Sequence, residues 1–438
     1  MGRSICVFTF GCQMNCRDSE TMEAVLEESG HLIVAEKDAD VAIVNSCSVR
    51  EFAEEKAINR LRSLVLRKKK QKDFLVGVAG CMAQRLGGEL FSLVPGLDFA
   101  IGTGNFHRVG EALGRAINGE DRVLLIDSSE PYGRQARRYG SLRPSANLSI
   151  GSGCPMRCSY CIVPQVRGSF SSRPMEDIVS EARQLAMAGT REVVLLGQIV
   201  NMYGFRQLPT ICAKSPFVQL LERIHDVDGI DRIRFLSPHP CGFRDDLMSC
   251  FERLPKLCRA VHLPLQSGSN RVLRAMGRGY SIERALSIIK SLRNTMEDCS
   301  ISTDLIVGFP GESDEDFQLT ANLFNEIDFD MAYLFKFSPR AGTAAATLPN
   351  QIPTEVVEER HRILLGKLAE TSLRRNKLFL GKTLSVLAEG KSKKDPAVLV
   401  GHSHQEKKVF FPAPAEIVGS IVKVTVISAS VAALSGKI

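Results

Sequence analysis

Apolar positions along the chain follow two periods, and the change from one to the other divides it into three parts. In the first part, short β-prone apolar runs at residues 4–10, 41–45 and 74–79 are each followed by a polar break. Helical spacing then begins, as at 18–29 with its early acids and from 51 onward. Strands alternating with helices predict a parallel sheet, whose ligands gather beyond the carboxyl ends of its strands. A second series of apolar runs, at 148–150, 193–197, 232–236, 261–265, 301–308 and 331–337, again alternates with helical stretches. It predicts a barrel-like parallel sheet of about six β/α units. Helix starts are marked by Pro174 with Glu176 and Asp177, and by Ser313 before Asp314, Glu315 and Asp316. From about residue 381 the spacing becomes short and alternating, at 383–388, 398–400, 409–411 and 421–427, with Gly, Lys and Pro turns between. That predicts a small closed antiparallel barrel. The fold class is therefore α/β, with parts at 1–127, 146–376 and 377–438, and 128–145 reads as a basic linker rich in Gly, Pro, Ser and Arg.

Cysteines stand where these patterns break. Cys12, Cys47 and Cys81 each follow one of the first three runs directly, so a parallel sheet would bring them to one edge although they lie far apart in sequence. The convergence suggests a three-thiolate iron-sulfur cluster with one iron open; the competing reading is three buried thiols that end strands. Cys6 and Cys16 are weaker candidates, the one inside a strand and the other in the following helix. Gly153-Cys154-Pro155-Met156-Arg157-Cys158-Ser159-Tyr160-Cys161 packs three thiols into one loop, spaced to reach three corners of a second cube. Zinc or a thiol redox pair would fit Cys158 and Cys161 alone.

Composition narrows the setting. Length, at 438 residues, calls for about two to four domains, and 44% hydrophobic with 24% charged residues is ordinary for a globular chain. No apolar run approaches the roughly 20 residues of a membrane helix, and the run at 5–10 is too short for a signal-peptide core, which predicts a cytoplasmic protein. Thirteen cysteines are an odd number and are not spread as a disulfide framework. Cys212, Cys241, Cys250, Cys258 and Cys299 have no partner at ligand spacing and read as core or surface thiols. A net charge of +7 permits nucleic acid without requiring it. The basic run from Arg67 to Lys72 reads first as a solvated helix end.

Polar residues at the ends of the central runs are candidates for holding a ligand, because reactive groups line the carboxyl ends of barrel strands. They are Gln198 and Asn201, Ser237 and His239, Gln266 and Ser267, and Arg340. His239 and His262 are the nearest to general bases, though a His between prolines or inside a strand is usually structural. In Ile306-Val307-Gly308-Phe309-Pro310-Gly311-Glu312 two glycines mark a close backbone approach, better suited to an adenine or ribose than to a P-loop phosphate. Tyr160 is placed beside the second triplet. In the terminal barrel, Lys391, Lys393, Lys394, Lys407 and Lys408 lie in or beside turns, a pattern that fits RNA phosphates or simply a solubilising surface.

The Cys154, Cys158, Cys161 loop, with an aromatic residue before its last cysteine, resembles the signature of the radical S-adenosylmethionine (SAM) superfamily. The whole chain resembles that superfamily's methylthiotransferase family. The matching words are Gly11-Cys12-Gln13-Met14-Asn15, Asn45-Ser46-Cys47, Gly80-Cys81-Met82-Ala83-Gln84, the second triplet with Ile162-Val163-Pro164, Leu196-Gly197-Gln198, His262-Leu263-Pro264, Gln266-Ser267-Gly268-Ser269 and Val307-Gly308-Phe309-Pro310-Gly311-Glu312. Ser46, Ile199 and the 167–170 stretch depart modestly from the family pattern.

The resemblance implies an amino-terminal cluster domain, a partial (β/α)6 radical SAM domain and a terminal TRAM barrel. It implies two 4Fe-4S clusters, on Cys12, Cys47 and Cys81 and on Cys154, Cys158 and Cys161. SAM would serve as radical source and methyl donor, with Tyr160, Gln198, Gln266, Ser267, Gly308 and Glu312 as cofactor contacts. The Gln-Met-Asn after Cys12 is similar to the branch that acts on dimethylallyladenosine in tRNA; sister branches act on threonylcarbamoyladenosine in tRNA or on a ribosomal protein. Implied partners are a tRNA anticodon stem-loop, an electron donor such as flavodoxin or ferredoxin and a sulfur donor system, with the enzyme itself a monomer. A non-catalytic RNA-binding iron-sulfur or zinc protein is the reading from another class.

Overall fold

The computed structural model describes residues 2–48, 51–127, 135–137 and 143–438, so most of the expected linker lies outside the described residues. Two compact units are formed: residues 1–140, 151–155 and 161–173 make the first, and 141–150, 156–160 and 174–438 the second.

In the first unit the chain runs β1 (Ser4–Phe10), α1 (Gln13–Glu28), β2 (Leu32–Ile33), β3 (Val41–Ser46), α2 (Glu51–Lys70), β4 (Leu75–Gly80), α3 (Cys81–Leu86), α4 (Glu89–Leu93), β5 (Phe99–Ile101), α5 (Val109–Ile117) and β6 (Val123–Leu125). The strands make one parallel sheet in the order β2-β1-β3-β4-β5-β6. Both faces are covered. Val41 and Ile43 of β3 enter one core layer with Met22, Leu26 and Leu113, while Ala42 and Val44 enter the other with Ala57, Leu61 and Leu64. A strand buried on both sides reads as an unbroken apolar run, which is why β3 and β4 were legible in the sequence; β1 is only partly buried but carries the same β-prone residues. Strands β5 and β6, at three residues each, are too short to show a period.

Helix α1 begins five residues before the spacing predicts, and no acid stands in its first turn. Its early turns face the sheet with polar groups. Ser19 Oγ lies 2.7 Å from Thr9 Oγ1, Asn15 Nδ2 donates to Asn45 Oδ1 at 3.2 Å, and Asn45 Nδ2 donates to the Asn15 carbonyl at 2.9 Å. A helix start buried through hydrogen bonds is invisible to hydrophobic periodicity.

Beyond β6, strand β7 (Ser145–Ser149) belongs to the second unit, whereas β8 (Gly151–Ser152), α6 (Val163–Arg167) and β9 (Ser171–Ser172) belong to the first. The second unit continues with α7 (Met175–Met187), β10 (Glu192–Leu196), α8 (Pro216–His225), β11 (Arg232–Phe235), α9 (Asp245–Arg253), β12 (Ala260–His262), α10 (Asn270–Ala275), α11 (Ile282–Thr295), β13 (Ser300–Val307), α12 (Asp314–Ile327), β14 (Met331–Lys336) and α13 (Thr354–Lys377). The six expected strands are present and parallel, in two ladders of three, β7-β10-β11 and β12-β13-β14. A single bridge between Ile233 and Leu257 joins them. Strand β12 ends at His262, earlier than the apolar run predicts, and pairing with β13 resumes as a bridge between Gln266 and Leu305. Ser313 closes a full capping box with Asp316, as its position suggested.

Five strands, β15 (Thr383–Lys391), β16 (Val398–Ser403), β17 (Lys408–Pro412), β18 (Ile421–Ala429) and β19 (Leu434–Lys437), close the terminal barrel around Leu384, Val386, Leu399, Phe411 and Val424. Pairing is antiparallel except between β17 and β19, which run parallel. Within the same unit the barrel is bonded to the strands before it. Arg232 donates to the carbonyls of His402 and Ser385 at 2.7 Å each, and Arg234 pairs with Glu406 at 2.8 Å.

Lys407 corrects an expectation. It is not a free turn lysine: it is buried, with Nζ 2.6 Å from Asp330 Oδ1 and 2.8 Å from Asn376 Oδ1. Lys391, Lys393, Lys394 and Lys408 are exposed. Without Lys407, Asp330 keeps Arg375 at 3.2 Å, but the buried Asn376 Oδ1 loses its donor. Lys407→Met is therefore expected to lower stability by about 1–3 kcal/mol, read by circular dichroism in urea, whereas a lysine that only met RNA would leave the midpoint unchanged.

Candidate active site

Register sets the first group of thiols. Phe10 pairs with Ser46, and Ser46 with Gly80, so Cys12, Cys47 and Cys81 leave three adjacent strand ends at nearly the same height. Neighbouring strands are about 4.8 Å apart. The three side chains do meet: the Cys47 thiol is hydrogen-bonded to both Cys12 and Cys81. Two glycines make room. A Cβ on Gly11 would lie 2.6 Å from Cys47 Cβ, and one on Gly80, at φ +96°, 2.4 Å from Asn45 Oδ1.

The hydrogen bond from Cys47 pulls the Cys12 thiol down to about 6 against the opposing effect of burial, with the Arg167 charge helping. The same bond brings Cys81 to about 7, again against burial and again with Arg167. Cys47, bonded to Cys12 and Cys81 and buried, is pushed up. Arg167, at the end of α6, directs Nε at Cys81 Sγ, 3.2 Å away, and Nη2 at Asp18 Oδ2, 2.7 Å away. Among the described residues, no group of three or more His, Cys, Asp or Glu side chains surrounds a single ion position. The fit of an iron-sulfur group rests instead on donor chemistry: three thiols at one sheet edge beside a buried cation that offsets thiolate charge.

The second group of thiols is a single loop in sequence. Gly153, at φ +73°, could carry no side chain, since a Cβ would sit 2.2 Å from the Ser169 carbonyl oxygen. Cys154 and Cys161 belong to the first unit and Cys158 to the second. In the second unit the 156–160 stretch is pinned by its backbone: Ser159 N donates to the Met276 carbonyl at 3.0 Å, and Ala345 N to the Ser159 carbonyl at 2.8 Å. Arg278, also buried, places Nη1 3.5 Å from Cys158 Sγ and Nη2 3.2 Å from the Pro264 carbonyl. Tyr160 packs with Val272, Met276, Ile306 and Phe309.

The sequence candidates at the strand ends separate into two kinds. Gln198 has a buried Oε1 without a hydrogen-bond partner among the described residues, and Gln266 is held at φ +70° between the backbones of Asp304 and Ile306. Such an orphaned amide oxygen fits a ligand donor. Ser267 and Gly308 are occupied by the protein itself, and Glu312 through one oxygen only, its buried Oε1 having no hydrogen-bond partner among the described residues. Ser267 is fully buried against Thr320 and accepts from Ser269 N; Glu312 Oε2 accepts from Gly308 N at 2.8 Å and from Arg360 at 2.6 Å. A Cβ on Gly308 would lie 2.4 Å from Val357, so the close approach read from that turn is to α13.

Burial, with Arg278 adding to it, pushes His239 down to about 3, which makes it a weak base; its Nδ1 accepts from Cys241 N, and Asn201 clamps its backbone on both sides. His262 stands between Ser302, 3.0 Å from Nδ1, and the Asp304 carboxylate, 3.5 Å from Nε2, and edge-on to Tyr333. Asp18 and Arg278 carry no local signal that marks them; Asn15 and Asn45 were visible only inside the words shared with the family, and Arg167 only at the start of the stretch that departs from its pattern.

Residues 148–324 match the model of the Radical SAM superfamily, and residues 4–102 match a family described as Uncharacterized protein family UPF0004. The tRNA-2-methylthio-N(6)-dimethylallyladenosine synthase of Opitutus terrae is 46% identical over 98% of this chain and 96% of its own. That of Akkermansia muciniphila is 43% identical over 95% of each. In fold, the chain is similar to the radical SAM methyltransferase TsrM of Kitasatospora setae, solved with cobalamin and a [4Fe-4S] cluster, at a TM-score of 0.60 and 14% identity over 79% of this chain and 77% of that one. With near end-to-end identity at this level, the chain belongs to the methylthiotransferase family of the radical SAM superfamily, among the tRNA-2-methylthio-N(6)-dimethylallyladenosine synthases.

Proposed function

We propose that the protein converts N(6)-dimethylallyladenosine, next to the tRNA anticodon, to its 2-methylthio derivative. The observation that carries this reading is the meeting of Cys12, Cys47 and Cys81 at one sheet edge, in a chain that also holds the Cys154 triplet. Carbon 2 of adenine bears an unactivated C–H bond, beyond the reach of any side-chain base in the protein pKa range. His239, pushed far below its ordinary range by burial, is too weak a proton acceptor to change that. Cys154, Cys158 and Cys161 would hold a 4Fe-4S cluster that with SAM would supply a carbon radical, and Cys12, Cys47 and Cys81 would hold a 4Fe-4S cluster that would carry the sulfur to be transferred.

The chain's own residues prepare these places. Arg167 and Arg278 donate to Cys81 and Cys158 and offset charge on the thiolates. Gln198, with its open Oε1, and Tyr160 and Gln266 are the SAM contacts this reading retains, while Ser267, Gly308 and Glu312 shape the turns behind them. The exposed Lys391, Lys393, Lys394 and Lys408 of the barrel meet phosphates of the anticodon stem-loop, and the target base is splayed from its single-stranded loop at modest unstacking cost. The working divisions are 1–127, 146–376 and 377–438. No described helix is long and apolar enough to cross a membrane, and a monomer in the cytoplasm, fed by a flavodoxin or ferredoxin and by a sulfur donor system, completes the reading.

Cys12→Ala is expected to halve the iron content and abolish methylthio product by nucleoside mass analysis, while reductive SAM cleavage continues; normal product would remove Cys12 from this role. Replacing Lys391, Lys393, Lys394 and Lys408 together with Ala should weaken tRNA binding at least about tenfold and flatten its salt dependence. SAM cleavage without tRNA should stay at the parent rate.

A further inference from the structure

The two buried guanidiniums differ in their counter-charges. Arg278 has neutral partners around it, the Pro264 carbonyl and the Tyr280 ring at 5.4 Å, besides the Cys158 sulfur. Arg167 divides its fork between a sulfur and a carboxylate, Cys81 and Asp18, with only 6% and 12% of the Arg167 and Asp18 side chains exposed. Its place is fixed by packing. Ile162 and Val166 of the same stretch form a small core with Cys81, and Thr103 Oγ1 donates to the Val166 carbonyl at 2.6 Å. The guanidinium is thus held on the sulfur by apolar contacts that do not depend on the charge itself.

Reduction adds one negative charge to an iron-sulfur group already made anionic by thiolates. A hydrogen-bond donor and a fixed cation on a ligand sulfur favour the reduced form, and a nearby carboxylate opposes it. Little water is present to screen either charge in so buried a site. We infer that Arg167 and Asp18 are a positioning pair that sets the reduction potential of the group on Cys12, Cys47 and Cys81, Arg167 raising it and Asp18 restraining it. The inference rests on the reading of those thiols as cluster ligands. It assigns the chain between Cys161 and Arg173 a second task besides supplying Cys161.

The test uses the full-length chain with Cys154, Cys158 and Cys161 changed to Ala, so that only the first group remains. After anaerobic reconstitution, iron and sulfide are measured, and the one-electron midpoint is followed by electron paramagnetic resonance as a chemical titrant delivers the electron. Asp18→Asn should raise the midpoint and Arg167→Gln lower it, each by at least tenfold in the reduction equilibrium, or about 59 mV for one electron. Arg167→Lys, which keeps the charge, should fall between Arg167→Gln and the parent. Should Arg167→Gln fail to hold iron, the Asp18→Asn and Arg167→Lys shifts still decide. Midpoints that stay together, or that move the same way in Asp18→Asn and Arg167→Gln, overturn the assignment while leaving the cluster intact. A parent chain that binds no iron overturns the ligand reading and this inference with it, and iron content tells the two failures apart.

Discussion

Three adjacent parallel strands ending at one height is the constraint on which the first unit depends. Strand spacing alone sets residue 47 about 5 Å from the strands on either side and residues 12 and 81 on strands about 10 Å apart, although 69 positions of sequence separate the outer two. Backbone then has to turn sharply three times without side chains in the way, and Gly11 and Gly80 stand at the two turns where a Cβ would strike Cys47 or Asn45. The Asn15–Asn45 pair ties the start of α1 to the same edge. The thiols can meet there because nothing larger is allowed between them.

Bringing thiols together in a buried place raises an electrostatic problem, since each thiolate is disfavoured by lost water and by its neighbours. The protein answers it with guanidinium groups rather than ammonium groups. A planar fork can donate to sulfur with one edge and to an oxygen with the other, and it stays charged when buried. Arg167 and Arg278 do this beside Cys81 and Cys158. The same chemistry recurs where no sulfur is present: Arg360 holds Glu312 behind the Gly308 turn, and Arg232 and Arg234 hold the terminal barrel. These buried cations are mostly paired with carboxylates and add little to the net positive charge. Lys407 belongs with these groups, and the barrel's exposed lysines are fewer than its turn composition suggests.

Period and spacing were enough for the main strands of both parallel sheets, the capping box at Ser313 and the terminal barrel, because each is set by local alternation of apolar and polar side chains. The cysteine spacing was enough for the second triplet, since one loop carries it all. Elements fixed by hydrogen bonds rather than by apolar burial were not legible, namely the first turn of α1 and the parallel closure between β17 and β19; the buried strands β5 and β6 were missed because three residues show no period.

What the sequence by itself determined is which residue types are available and how often the chain turns. Which polar groups are spoken for was decided only in three dimensions, because a hydrogen bond depends on what distant segment lies opposite. Glu312, Ser267 and Lys407 read as free for a ligand and are bound by Arg360, Thr320 and Asp330, from 48, 53 and 77 residues away. Arg167, unremarkable in its own stretch, gained its place from Cys81 and Asp18, 86 and 149 residues earlier, as separations that no periodic pattern encodes.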